Sequence, residues 1–160
     1  MFSISEVIKN REWKHNLELV KSKELGHEVS MVYDLDNFQK PRYNDEDATL
    51  LNKLVFDNLI SNSVTSIMGE DFMKGNSQGL VKVKSFERNN YDIVEVTDTG
   101  KGVHKDILNE IFKKGFSTKG TTGYGLYYAQ KLVHERFNGF IEVESDSDKT
   151  SFVIMLPHKR

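Results

Sequence analysis

The apolar positions of this chain change period several times, and each change marks an element. "FSISEVIKNREWKHNLELVKSKEL" opens with a short extended segment, after which Val7, Ile8, Trp13, Leu17 and Val20 recur at near-helical spacing. That spacing predicts one helix, capped by Ser5 and ended by Gly26. "HEVSMVYDL" alternates like a strand, and the polar "NFQKPRYNDED" holding Pro41 connects it onward. Residues 46–68, "EDATLLNKLVFDNLISNSVTSIM", carry the longest helical pattern. Acids crowd its first turn, where the helix dipole favours them, and Leu51, Leu54, Val55, Leu59 and Val64 supply an apolar face.

"GLVKVKSFERN" and "YDIVEVTDT" read as paired strands around the polar turn "ERNNY". A short helix, "HKDILNEIF", a Gly/Thr/Lys stretch, "KKGFSTKGTTGYG", and a second helix, "YGLYYAQKLVHERF", follow. The strands "GFIEVESD" and "SFVIMLP" close the pattern around "SDSDKT". No internal repeat or low-complexity linker interrupts the 160 residues, so the expectation is a single domain over 1–160. Hairpins interspersed with helices favour a two-layer α+β sandwich over a doubly wound parallel sheet.

Composition removes several function classes. The chain is 38% hydrophobic and 29% charged, as a soluble globular domain is. A net charge of -2 gives no general attraction to nucleic acid or to a membrane. The absence of cysteine excludes disulfides, thiolate metal sites and cysteine nucleophiles. No apolar run approaches the roughly 20 residues of a bilayer span, and "MFSISEVIKNREWK" lacks the apolar core of a signal peptide. The expectation is a cytoplasmic domain of a longer protein, which leaves room for a membrane anchor elsewhere in the parent.

Four short signals carry chemistry. Asn58 and Asn62 in "FDNLISNS" lie four residues apart on a helix, so their amides point the same way. An amide carbonyl is a neutral, hard ligand suited to Mg²⁺ beside phosphates, although two polar residues on a solvated face give the same spacing. "VTDTGKGV" ends a strand with Asp98, an acceptor for an exocyclic amine, followed by Gly100 and Gly102, which admit positive φ or close approach. A plain turn reads the same way; an aspartic-protease site would need a second Asp-Thr-Gly or Asp-Ser-Gly, which is missing. "GTTGYGL", residues 120–126, opens a helix whose N–H groups and glycines suit an anion, and it matches neither the dinucleotide fingerprint nor the Walker loop. In "IFKKGFSTKG", Phe112 and Phe116 are placed to clamp a mobile segment, with Lys113, Lys114 and Lys119 in reach of phosphate or simply solvated.

Their order along the chain resembles the GHKL superfamily of gyrase, heat-shock chaperone ATPases, mismatch-repair ATPases and histidine kinases. "FDNLISNS" resembles the N box, "DTGKGV" and "GYGL" the two glycine boxes, "IFKKGF" the F box, and "KTSFVIMLP" the final strand. The resemblance implies the Bergerat fold: a mixed, mostly antiparallel sheet covered on one face by helices, with an ATP lid at about 103–122. It implies ATP and Mg²⁺ as cofactors. Asn62 would hold Mg²⁺, with Asn58 near the phosphates. Asp98 would read the adenine amine, helped by Thr150 through water. Gly100, Gly102 and Val103 would shape the base pocket. Gly120, Gly123, Tyr124, Gly125 and Leu126 would serve the phosphates, with Lys119 assisting from the lid.

Asn58 decides the branch. Hydrolytic members carry a Glu there to activate water, and an amide cannot act as a general base. Asn is the histidine-kinase pattern, since the attacking imidazole brings its own nucleophilic nitrogen and the domain has only to position and neutralise. Asp57 lies about 100° around the helix and is a poor substitute. Catalysis is therefore expected to rest on Asn58 and Lys119. The expected partners are a dimerisation and phosphoacceptor domain and, downstream, a response regulator. His15 in "EWKHNLEL" lacks the two long helices of a phosphotransfer hairpin, so the acceptor is expected outside residues 1–160. Departures from the pattern are Ser63 for Ala, Thr65 for a phosphate-contacting Lys, and Lys149 for Gly. The rival readings are an ATP-driven clamp of gyrase or chaperone kind and a nucleotide-binding module without kinase activity. The wording "GFSTKG…GLYYA" resembles nitrogen-regulation or citrate-sensor kinases.

Overall fold

The structure is a computed structural model that describes residues 1–11, 13, 16–68, 78–100, 105–115, 124–146 and 149–160. Helices α1 (Ile4–Lys9) and α2 (Leu17–Glu24) lead into strand β1 (Glu28–Leu35). A long helical run follows: α3 (Asp45–Leu50), a π-helical stretch (Leu51–Phe56) and α4 (Asp57–Met68). Strands β2 (Gln78–Arg88) and β3 (Tyr91–Asp98) form a hairpin whose Asn89 and Asn90 both take positive φ, 51° and 63°, the combination a two-residue type I′ turn requires. A 3₁₀ turn (Lys105–Ile107), helix α5 (Gly125–Phe137) and strands β4 (Phe140–Ser145) and β5 (Thr150–Pro157) complete the described elements.

The strands form one five-stranded sheet in the order β1-β2-β3-β5-β4, with β1 parallel to β2 and the other pairs antiparallel. Strand alternation sends Val81, Val83, Val94, Val96, Phe152, Ile154, Leu156 and Ile141 to one face, where all are buried. Leu59, Ile60 and Val64 of α4 and Ala129, Val133 and Phe137 of α5 complete that core. Each large side chain buried there contributes roughly 1.5–3 kcal/mol. This is the expected α+β sandwich, with a mixed, mostly antiparallel sheet and helices on one face.

The N-terminal region departs from the single helix expected. Ser3, not Ser5, caps α1: its hydroxyl accepts the Glu6 N–H and the Glu6 carboxylate accepts the Ser3 N–H, both at 3.1 Å. Ser5 is buried instead, 2.6 Å from both Gln39 Oε1 and Ser85 Oγ. The helix stops after Lys9 and restarts at Leu17, where Asn16 Oδ1 accepts the N–H groups of Glu18 and Leu19. Between them Trp13 drops into the core, stacked on Tyr33 and edge-on to Phe56. The break rotates α2, so Leu17 is 77% exposed and Val20 also faces solvent. Gly26 does end α2's turn, at φ 87°.

The long run from 45 to 68 is helical as expected, but its middle is π-helical. Its i→i+5 ladder rotates each residue by less than the roughly 100° of an α-helix, which moves i+3 off the face of i. Leu51, Val55 and Phe56 are buried, while Leu54 is turned out to solvent. Of the short helix expected at 104–112, the described residues 105–112 form the 3₁₀ turn and irregular turns.

Candidate functional site

Asp98 ends β3 with its side chain on the helix-facing side of the sheet. The row through it runs Val81, Asp98, Thr150, Ser145 across four strands. Asp98 is 1% exposed, and its Oδ1 accepts the Gly100 N–H at 2.9 Å, bending the chain sharply out of the strand. Thr150 is buried beside it, with Oγ1 3.0 Å from Ser145 Oγ. Thr99 fastens the same turn to β2, accepting from Leu80 N at Oγ1 and donating its own N–H to Leu80 O.

Gly100 is required by close approach. A Cβ built there falls 2.5 Å from both the Ser66 carbonyl carbon and Ser66 Oγ, and 2.7 Å from Ile67 N. The turn after β3 therefore rests directly on the backbone of α4, one turn past Asn62.

Asn58 and Asn62 lie on α4, both half-buried. Asn58 Nδ2 donates to Leu54 O at 2.7 Å, and Oδ1 faces the start of α5, where a Cβ built on Gly125 would lie 2.9 Å from it. Positions 58 and 125, distant in sequence, thus meet. Thr65 is buried and its hydroxyl donates to Asn62 O at 2.9 Å. At the start of α5, Tyr124 occupies the N-cap without a side-chain capping bond of its own, and the N-terminal turn of such a helix presents N–H groups suited to an anion. Leu126 packs on the core. Lys114 lies over the rings of Tyr124 and Tyr127, which holds its charge beside this helix start, whereas Lys113 pairs with Glu110 at 2.6 Å.

Phe112 anchors the 105–115 stretch by packing edge-on against Phe152 of β5. Gly102, Val103, Phe116, Lys119, Gly120 and Gly123 lie outside the described residues, as do His15 and both ends of the expected lid, 103–104 and 116–122. Asp57 is held by the N-terminal segment: Arg11 Nη2 reaches it at 2.8 Å and Asn16 Nδ2 at 3.2 Å. It is directed away from the face carrying Asn58 and Asn62.

Sequence reasoning missed a second polar region at the opposite end of the sheet. Asp47 is 2% exposed, paired with Arg136 at 3.0 Å and Arg160 at 2.6 Å. Burial alone would raise its carboxyl, but hydrogen bonds from Arg160 and Arg136 outweigh that and hold it below the usual range. Tyr43 donates to the fully buried Asp92 at 2.6 Å; burial first, then the Asp92 charge, push its phenol well above the ordinary value. No local spacing signals these contacts, because the partners come from α3, β3, α5 and the segments before α3 and after β5.

The residues present fit an adenine nucleotide. An acceptor carboxylate beside hydroxyls suits an exocyclic amine, and the N-terminal end of α5 suits phosphate. The amide oxygen of Asn58 at that helix start, with Asn62 one turn on, suits a hard cation held among phosphates.

The family described as "Histidine kinase-, DNA gyrase B-, and HSP90-like ATPase" matches residues 46–160. The chain is 35% identical over 144 residues to a probable C4-dicarboxylate sensor kinase of Halalkalibacterium halodurans, covering 88% of this chain and 25% of that protein. It is 31% identical over 150 residues to the sensory histidine kinase/phosphatase NtrB of Rhodobacter capsulatus, covering 82% of this chain and 38% of that one. The chain thus spans a quarter to two fifths of the length of these relatives. The catalytic domain of the histidine kinase ThkA superposes with a TM-score of 0.74 at 21% identity, over 99% of this chain and 97% of that one, which establishes the fold. With the family match spanning most of the chain and the Asp98 turn, α4 and α5 assembled as described, this chain belongs to the histidine kinase-, DNA gyrase B- and HSP90-like ATPases, as the ATP-binding domain of a sensor histidine kinase.

Proposed function

We propose that the chain binds Mg²⁺-ATP between the Asp98 turn and the start of α5. It presents the γ-phosphate to a histidine on a dimerisation and phosphoacceptor domain outside residues 1–160, from which a response regulator draws it. The observation that carries this reading is Asn58, an amide where a hydrolytic member needs a base, facing the start of α5, with neighbouring Asp57 tied to Arg11 and Asn16.

Bound Mg²⁺-ATP supplies the transferable phosphoryl group and the neutralising charge. The protein's share is binding and alignment. Asp98 accepts from the adenine amine while Oδ1 keeps the Gly100 turn in place, and Thr150 supports the same edge of the base. Asn62 is the Mg²⁺ ligand, and Asn58 orients beside the phosphates. The N–H groups at the start of α5, including Gly125 and Leu126, receive phosphate oxygens together with Gly120 and Gly123. Lys114 adds charge there, and Lys119 assists from the lid. Gly102 and Val103 complete the base pocket. No helix among the described residues is long and apolar enough to cross a membrane; we assign the domain to the cytoplasm as part of the longer kinase.

Labelled ATP supplied with a histidine-bearing dimerisation domain from a relative tests this. Label should reach the histidine while the chain alone releases negligible phosphate. Steady phosphate release without transfer would instead identify an ATP-driven clamp. Thr65 favours a second reading, since the position that carries a phosphate-contacting Lys in many kinases here holds a hydroxyl bonded to its own helix. Nucleotide binding with neither transfer nor hydrolysis would establish that binding-only module.

A further inference from the structure

Glu87, Asp92 and His158 bring one ligand atom each to within 4.8 Å of one another at the end of the sheet remote from Asp98. Asp92 precedes Asp98 by six residues on one strand, so the two lie about 20 Å apart. Three features show that the group is assembled by the fold. Glu87 and Asp92 are directly opposed on β2 and β3, so two carboxylates share one sheet face, an arrangement that repels without a cation. His158 is fixed by its own backbone, whose N–H donates to Asn90 O in the hairpin turn at 2.9 Å. Its Nε2 lies 3.1 Å from Asp92 Oδ1, with the imidazole only 13% exposed. The other Asp92 oxygen accepts the Tyr43 hydroxyl at 2.6 Å, the kind of outer hydrogen bond that orients a ligating carboxylate.

We propose that Glu87, Asp92 and His158 form a divalent transition-metal site of Zn²⁺ type, separate from the nucleotide site. One imidazole nitrogen and two carboxylates suit Zn²⁺, whereas Mg²⁺ and Ca²⁺ favour oxygen-only sets. Two ligands on bonds of about 2.1 Å at a tetrahedral angle stand roughly 3.4 Å apart. The Asp92–His158 separation of 3.1 Å is already close to that, and the exposed Glu87 side chain closes the rest by a rotamer change. The fourth position faces solvent on the Glu87 side and takes water. The ion joins the β2–β3 hairpin to the segment after β5 and offsets the repulsion between the opposed acids.

The test is calorimetric titration of the chain with Zn²⁺ at pH 7.5, without nucleotide, beside Glu87→Gln and His158→Gln. Glu87 is exposed, so its variant folds whatever becomes of the half-buried His158 position. Wild type should bind one ion at micromolar affinity and melt a few degrees higher at about 100 times the dissociation constant. Glu87→Gln should weaken binding about 10-fold and His158→Gln should abolish it. Co²⁺ should give a ligand-field spectrum that His158→Gln removes. Absence of binding, or binding that both variants retain unchanged, would overturn the site and show His158 to be only a counter-charge for the two acids. Neither result bears on ATP binding, so the two assignments stand or fall separately.

Discussion

Replacing Gly100 with alanine tests the contact on which the site's geometry depends. The added methyl would sit 2.5 Å from the Ser66 carbonyl carbon and 2.7 Å from Ile67 N, where carbon contacts normally settle at about 3.5–4.0 Å. Both sides of the contact are backbone, so about 1 Å must come from moving α4 or the Asp98 turn. Forced overpacking of this kind costs about 1–3 kcal/mol. For a chain of this length that lowers the melting temperature by about 2–12 °C. The movement also separates α4, with Asn62, from Asp98, so ATP affinity should fall along with stability. Gly115→Ala is the contrast: Gly115 has open space around it but φ of +83°, so alanine should lose about 1–2 kcal/mol through backbone conformation alone. Urea unfolding followed by the fluorescence of buried Trp13 gives both values, with an unchanged m-value confirming that stability alone has moved. Gly100→Ala within about 0.5 kcal/mol of wild type would refute the close approach of the turn to α4.

Gly125→Ala places a methyl 2.9 Å from Asn58 Oδ1, so ATP affinity should drop several-fold while the melting temperature changes little; equal affinity would separate Asn58 from the start of α5. Ser3→Ala removes the hydroxyl half of the capping box, leaving the Ser3 N–H on the Glu6 carboxylate, and should destabilise by about 1 kcal/mol in urea, whereas Ser5→Ala should act through its buried bonds to Gln39 and Ser85. The Asp47 carboxyl lies below its unfolded value, so its stabilisation is fully present above about pH 4 and is lost as pH falls through the folded value. Asp47→Asn should therefore lower stability by about 1–2 kcal/mol at pH 7, discounted because Arg136 and Arg160 remain partly solvated, and by less at pH 3. An equal loss at both pH values would show that the charge of Asp47 is immaterial.

The strands were legible because alternation and hairpin chemistry are local. Val81, Val83, Val94 and Val96 mark one face by period alone, and Asn89-Asn90 specifies its own turn. Motif order linked Asn58, Asp98 and Gly125 as one candidate site, and the fold brings Asn58 to Gly125 and the Asp98 turn to α4. What escaped the sequence was set at long range. Trp13 reads as one more residue of an amphipathic helix until the aromatic rings of Tyr33 and Phe56 draw it inward and split that helix in two. Leu54 fits the apolar face only on a 3.6-residue period, which the π stretch abandons. Gly100 was legible as a point of close approach, but not that α4 is the element its missing Cβ would meet. The Tyr43–Asp92–His158 and Asp47–Arg160 contacts join residues 49 to 113 positions apart, beyond any local pattern.

The central assignment is that Asp98 reads the amine of an adenine base. Binding of ATP and of inosine triphosphate, which presents a carbonyl where adenine has its amine, measures this directly in wild type and in Asp98→Asn. A hydrogen bond to a buried carboxylate is worth about 1.5–3 kcal/mol, so wild type should prefer ATP by about 10- to 100-fold. In Asp98→Asn the amide can keep the Gly100 bond and turn its NH₂ toward the base, so ATP binding should weaken and the preference should vanish or reverse. Wild type that binds both nucleotides equally, or Asp98→Asn that keeps the full preference for ATP, would contradict the assignment.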